Sequence, residues 1–271
     1  MARSDLYADE HHWGDGVIDV AGHDLPALKA AYLLAALPET GRVLEIGCGS
    51  GRILNTIAAH RPGLELHGCD IRPLRGKTPT FEFSQVSPDD SELPFGAASF
   101  DGVVVYDVLE HVVDPTQMLE STHRVLAPGG RLVSFTPLED QPLSFYRMYR
   151  KLMGDELYVQ TKEHLQAFSA RSLRQIVEAR FRFVDCSYAY HLLGHFMDAT
   201  LFAALKLPGL RRRFWDENPF YAEDAREEAP APSAFSRALR LANTVAYEES
   251  RLLRRSSFGA AGMLFTALPR R

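Results

Sequence analysis

The sequence predicts a doubly wound, mostly parallel α/β sheet with a helical lobe inserted before its last strand, and three observations carry that prediction. Short apolar runs of strand length alternate with stretches of helix length, the pattern of a sheet with helices on both faces. A glycine-rich turn joins the first such run to the helix after it. Residues 193–258 then break the alternation with Pro208-Gly209, Asn218-Pro219 and the loop Glu-Glu-Ala-Pro-Ala-Pro-Ser at 227–233, before a final apolar run.

The elements follow in order. Residues 25–37 read as a helix capped by Asp24 and ended by Pro38 and Gly41. Residues 42–47 are a short apolar run ending in glycines, as a buried parallel strand should be. Residues 52–60 read as helix, 64–70 as strand, and 100–106 and 130–136 as further strands. Between the last two lies a helix at 115–126, with Asp114 and Gln117 in capping-box spacing and Pro115 at its first position. A helix at 169–180, a strand at 181–192 and a last strand at 259–268 complete the sheet. The inserted lobe carries two helices, 191–215 and 235–255. In the first, Leu192, Phe196, Leu201 and Leu205 form a stripe expected to face the core. In the second, Phe235, Leu239, Ala242, Val245 and Leu252 are expected to pack.

Composition narrows the class. The chain has 271 residues, 46% of them hydrophobic and 24% charged, enough apolar surface for one large domain or one domain with an extra lobe. Three scattered cysteines, Cys48, Cys69 and Cys186, make neither a disulfide framework nor a metal knuckle. The first residues are acidic and polar, so no secretory segment is read, and the expected location is a reducing cytoplasm. Residues 1–194 hold 18 Lys and Arg against 26 Asp and Glu, while 195–271 hold 12 against 9. An acidic body speaks against a nucleic-acid partner.

Two constellations carry chemistry. Glu45-Ile46-Gly47-Cys48-Gly49-Ser50-Gly51 lets a backbone approach a ligand with no Cβ in the way. Its spacing is not the dinucleotide-binding G-x-G-x-x-G, and no Gly-Lys-Ser/Thr follows to cradle a triphosphate. Asp70, nineteen residues after Gly51 at the end of the second strand, is placed to take both hydroxyls of a ribose. The second constellation, Asp107, Glu110 and His111, follows the strand 100–106 at the sheet edge where ligands of open α/β folds bind. On a helical turn these positions share a face. Mixed oxygen and imidazole donors suit a divalent metal, and a carboxylate beside an imidazole suits a general base.

These residues sit in longer motifs: Val-Leu-Glu-Ile-Gly-Cys-Gly-Ser-Gly at 43–51, Gly-Cys-Asp-Ile-Arg-Pro at 68–73, an acidic stretch through Asp-Val-Leu-Glu-His at 107–111, and Arg-Val-Leu-Ala-Pro-Gly-Gly-Arg from 124. In that order they resemble the class I S-adenosylmethionine-dependent methyltransferases, in the ubiquinone-biosynthesis-like branch, over residues 41–184. The resemblance implies a seven-stranded Rossmann-like sheet with S-adenosylmethionine as cofactor. It implies that Gly47, Gly49 and Gly51 face the methionine part, with Glu45 acting on the ligand or on the loop's own amides. Asp70 would bind the ribose, Asp89 or Asp90 would hold the adenine amino group, and Ile71 and Tyr106 would line the pocket. Pro88 stands where relatives show glycine. Asp107-Val-Leu-Glu110-His111 is similar to the metal-binding E-x-x-E-H of ubiquinone O-methyltransferases and small-RNA 3′-terminal 2′-O-methyltransferases, and His164 falls near another histidine of the RNA enzymes. Asp107 in place of Glu is a departure, and the expectation is a metal-independent site with His111 and Glu110 catalytic.

The implied organisation is an N-terminal segment 1–40 over the cofactor, a core of 41–192 with 259–271, and a cap of 193–258. Tyr7, His11, His12 and Trp13 are candidates for the acceptor pocket, as are His164, His191 and His195. The expected activity is O-methylation of a small natural-product, sugar or quinone-type acceptor. RNA 3′-end methylation and a non-methylating S-adenosylmethionine-binding role are the alternatives. Oligomeric state is left open, a homodimer included.

Overall fold

The computed structural model describes residues 15–74, 80–87, 92–154, 164–204 and 234–270. Seven strands form one sheet: β1 (Gly41–Ile46), β2 (Leu64–Asp70), β3 (Glu82–Gln85), β4 (Phe100–Tyr106), β5 (Leu126–Pro137), β6 (Phe181–Ala189) and β7 (Gly262–Pro269). Their order is β3-β2-β1-β4-β5-β7-β6. β1 to β5 are parallel, while β7 runs antiparallel between β5 and β6. The described helices are α1 (Leu25–Ala36), α2 (Arg52–His60), α3 (Pro115–Val125), α4 (Phe145–Met153), α5 (Ala170–Glu178), α6 (Leu192–Ala204) and α7 (Ala234–Leu253).

Alternation along the strands builds a core on each face. Val43, Val104, Val133 and Leu264 turn towards Leu33, Leu54 and Ile57 of α1 and α2. Their neighbours Leu44, Val103, Val105, Leu132 and Phe265 turn the other way, towards Leu119, Leu173 and Val177 of α3 and α5. The helix starts follow their caps. Asp24 accepts the Ala27 amide at 2.8 Å, and Asp114 accepts those of Thr116 and Gln117 at 2.9 and 3.0 Å. Phe265 is fully buried and packs on Phe183 at 5.1 Å between centroids. Phe265→Ala is expected to cost about 3–5 kcal/mol, read as a lowered urea midpoint with unchanged slope.

Several expectations are corrected. β3 and α4 carry no strong periodic signal and were not read from the sequence, and the direction of β7 is invisible in an apolar run. The strand expected at 181–192 stops at Ala189, because Tyr190 takes a φ of +52° and α6 begins two residues later. The core-facing stripe of α6 is also corrected: Leu192 and Phe196 lie 42% and 52% exposed, whereas Gly194 and His195 are buried. On α7, Val245 and Leu252 face outward, and Ala246 and Ser250 fill the seam. The cause is close approach: a Cβ on Gly194 would meet the Ala246 Cβ at 3.1 Å, so small residues hold this contact and long ones are turned out. The side chains of Leu201 and Phe235, and residue Leu205, lie outside the described residues. Glu249 of α7 caps α6 through the amides of Leu193 and Gly194 at 2.9 and 2.8 Å. No described helix is long and apolar enough to cross a membrane.

Candidate active site

The chain runs from β1 outward through β2 to β3, then returns to place β4 on the other side of β1. Such a reversal leaves a crevice at the carboxyl ends of the two central strands. Ile46 of β1 pairs in register with Val105 of β4, so the loops at 47–51 and 107–111 leave the sheet side by side. They touch: a Cβ on Gly47, whose φ is +73°, would stand 2.5 Å from the Val108 Cγ2. Gly51, with a φ of +82°, meets the Phe81 ring in the same way at 2.4 Å. Gly49 has a φ of +53° and its missing Cβ faces open space, leaving its backbone bare to a ligand.

Asp70 anchors this loop. Its Oδ2 accepts the Gly49 amide at 2.8 Å and its Oδ1 the Arg72 amide at 2.9 Å. The amides of Gly47 and Cys48 both donate to the Cys69 carbonyl, at 2.8 and 3.1 Å. Beneath the loop, Glu45 is 3% exposed, bonded by the Leu54 amide, and its Oε2 has no hydrogen-bond partner among the described residues. Burial, reinforced by the neighbouring Asp70 carboxylate, holds the Glu45 carboxyl well above its ordinary value. Folding therefore tightens proton binding at Glu45. Stability from this group is full below the ordinary carboxylate value and is lost as pH rises through the raised one. Glu45→Gln is expected to flatten the fall in urea midpoint between about pH 5 and pH 8. A wild-type slope retained in that variant would place the titration elsewhere.

The second cluster is built from three segments. Glu110 and His111 follow β4, Glu139 follows β5, and His164 arrives on the strand-like stretch before α5. That stretch is tied down by the Gln166 amide on the Glu110 carbonyl at 2.9 Å and by the Gln166 side-chain amide on the carbonyls of Val112 and Val113 at 3.2 and 3.1 Å. Ligand atoms of Glu110, His111 and His164 lie within 4.8 Å of one another. Both Glu110 carboxyl oxygens are buried without a hydrogen-bond partner among the described residues. Burial first, and then the Asp107 charge, push this carboxyl well above its ordinary value. The His111 and His164 rings meet edge to face at 4.7 Å, and Glu139 Oε1 lies 2.9 Å from His164 Nδ1.

A methyltransferase-domain family model matches residues 22–180, more than half of the chain. The chain belongs to this methyltransferase family. Among similar proteins, the ubiquinone biosynthesis O-methyltransferase of Paracidovorax citrulli is 31% identical over 134 residues, covering 44% of this chain and 54% of that one. The corresponding protein of Xanthomonas oryzae pv. oryzae is 32% identical over 132 residues, covering 45% and 54%. The chain thus spans about half the length of the curated relatives it matches. Similar solved structures include phosphoethanolamine N-methyltransferase 2 of Haemonchus contortus in complex with S-adenosyl-L-methionine. It has a TM-score of 0.54 at 17% identity, covering 100% of this chain and 58% of that one. The [4+2]-cyclase SpnF has a TM-score of 0.54 at 18% identity, covering 96% and 86%. At such identities these two establish the fold. S-adenosylmethionine is the cofactor of the family, and the bare Gly49 backbone beside two carboxylates is a cradle that suits its cationic methionine end.

Within this methyltransferase fold the predicted residues fall into groups. Gly47, Gly49, Gly51, Glu45 and Asp70 converge on one loop, and Ile71 lies beside it with its carbonyl accepting from Gln85 at 3.2 Å. Tyr106 is buried, and its hydroxyl donates to the Lys29 carbonyl at 3.1 Å. Glu110, His111 and His164 come together, but Asp107 does not join them. The helical face expected for 107–111 is absent, because Asp107 leaves β4 with a φ of +52° and the segment is a turn. Its carboxylate pairs instead with the Lys29 ammonium of α1, which stands 3.8 Å above the Phe135 ring. His191 and His195 are fully buried beside α4, where His195 stacks on Tyr146 at 5.3 Å. Asp89, Asp90, Tyr7, His11, His12 and Trp13 lie outside the described residues. Lys29 and Glu139 were missed by sequence reasoning. Glu139 alone had a signal, as an acid just past the end of a predicted strand.

Proposed function

We propose that the chain transfers a methyl group from S-adenosylmethionine to a hydroxyl of a small-molecule acceptor. The observation that carries this is the closeness of Glu110, His111 and His164 at the sheet edge shared with the glycine loop. Methyl transfer is an in-line displacement, so the site's first task is to hold acceptor oxygen and cofactor in line. Asp70 holds the loop with both oxygens, yet a carboxylate has about four acceptor positions and keeps room for ribose hydroxyls. Gly49 offers its bare backbone to the methionine part. An acceptor hydroxyl must also shed a proton, and His111 and His164 are the imidazoles placed to receive it. The buried Glu110 and Glu139 stabilise the cation that results.

A second reading has its own observation. The unpartnered Glu110 oxygens with one nitrogen from each histidine form a donor set that fits a divalent cation, which would lower the acceptor's pKa directly. We further propose that residues 1–40 close over the cofactor and that 193–258 select the acceptor, through the α6 seam against α4. A quinone- or phenol-type acceptor is favoured by the ubiquinone O-methyltransferase relatives.

The test is turnover of S-adenosylmethionine to S-adenosylhomocysteine with phenols, catechols, sugars and short RNA, each with and without chelator and Mg²⁺ or Mn²⁺. Methylated phenol or sugar is the expected product. Tight cofactor binding with no methylated product from any acceptor would instead favour a non-methylating role.

A further inference from the structure

Glu139 lies two residues past β5 and is 2% exposed, a carboxylate placed where an acid has no stabilising solvent. Its Oε1 stands 2.9 Å from His164 Nδ1. A neutral imidazole has one N–H and one lone pair, and a lone pair turned to a carboxylate is repelled. The contact therefore favours the proton on Nδ1 and leaves the lone pair on Nε2. The backbone already fixes where the ring sits, through Gln166 on the carbonyls of Glu110, Val112 and Val113. What the backbone does not decide is which nitrogen is free.

We infer that Glu139 is a positioning residue that sets His164 in the Nδ1–H tautomer, so that Nε2 serves the acceptor hydroxyl. The inference deepens the methyl-transfer reading and rests on it. It narrows the substrate class to acceptors with an ionisable hydroxyl, because only these give Nε2 a proton to take or an oxygen anion to orient. The arrangement is that of a buried carboxylate behind a working histidine, where loss of the carboxylate disturbs the ring's orientation without touching the substrate.

Long-range ¹⁵N–¹H correlation spectra of the full chain, recorded at a pH where the ring is neutral, read this tautomer without any substrate. The His164 signals are assigned by their loss in His164→Gln. The wild type is expected to show Nδ1–H. Glu139→Ala is expected to move the ring towards Nε2–H, and Glu139→Gln, whose amide oxygen still accepts, to restore Nδ1–H. With an acceptor from the panel, Glu139→Ala should lower kcat by about 10–100-fold at little change in acceptor KM, with most of the loss recovered in Glu139→Gln. S-adenosylmethionine affinity should stay the same in all three. An Nε2–H ring in the wild type, or an Nδ1–H ring that survives Glu139→Ala, overturns the inference and leaves the methyl-transfer reading standing. The expected tautomers in a chain that methylates no acceptor would overturn that reading and the chemistry assigned to Nε2, but not Glu139's hold on the ring.

Discussion

Replacing His164 by alanine is expected to lower kcat by about 10²–10⁴-fold, the usual contribution of a positioned acid or base, while calorimetry finds S-adenosylmethionine bound as before. The size follows from the geometry. His164 is the imidazole with a buried carboxylate at hydrogen-bond distance, whereas His111 Nε2 is 4.0 Å from Glu110 Oε1. Loss of His164 also leaves Glu139 buried without the cation that faces it, so stability must be measured alongside. Comparable urea midpoints with a lost rate assign the effect to chemistry. Chelator arms separate the two mechanisms. If activity in the wild type survives exhaustive chelation, the histidines work as proton acceptors. If it is abolished and restored by Mg²⁺ or Mn²⁺, the same residues hold a cation. A His164→Ala enzyme with near-normal turnover would show that deprotonation does not depend on this cluster.

Asp70→Ala is expected to weaken S-adenosylmethionine by about 1–3 kcal/mol, or roughly 5- to 150-fold in Kd, the scale of a charge-assisted hydrogen bond. Two effects add in this variant. The ribose loses its acceptor, and the Gly49 and Arg72 amides lose the carboxylate that holds them. Asp70→Asn separates them, since its single carbonyl oxygen can keep one amide but not both. An intermediate loss in the asparagine variant therefore points to loop anchoring, and a loss equal to that of alanine points to the ribose. Unchanged affinity in both would remove Asp70 from the cofactor site.

Much of the fold was legible in the sequence because it is written in local patterns. Apolar runs of strand length, Asp24 and Asp114 before their helices, and three glycines after β1 each act within a few residues. A positive φ at Gly47 or Gly51 is a property of the residue itself, so the loop could be read without knowing its neighbours. The same holds for the acidic body, which is a sum over the chain.

What only the tertiary structure decided depends on contacts between distant segments. Asp107 reads like a member of the acid–histidine cluster, yet Lys29, 78 residues away, draws its carboxylate to α1. Glu139 carries no motif and matters because β5 ends beside the stretch that delivers His164. β7 inserts antiparallel between β5 and β6, a choice made by backbone pairing that an apolar run leaves open. The Gly194–Ala246 approach turned the apolar stripe of α6 outward, because helices at that distance admit small side chains only. Sequence fixes what each residue can do chemically and which local geometry it prefers. Which residues meet is settled by packing, where partners tens of residues apart compete for the same neighbour.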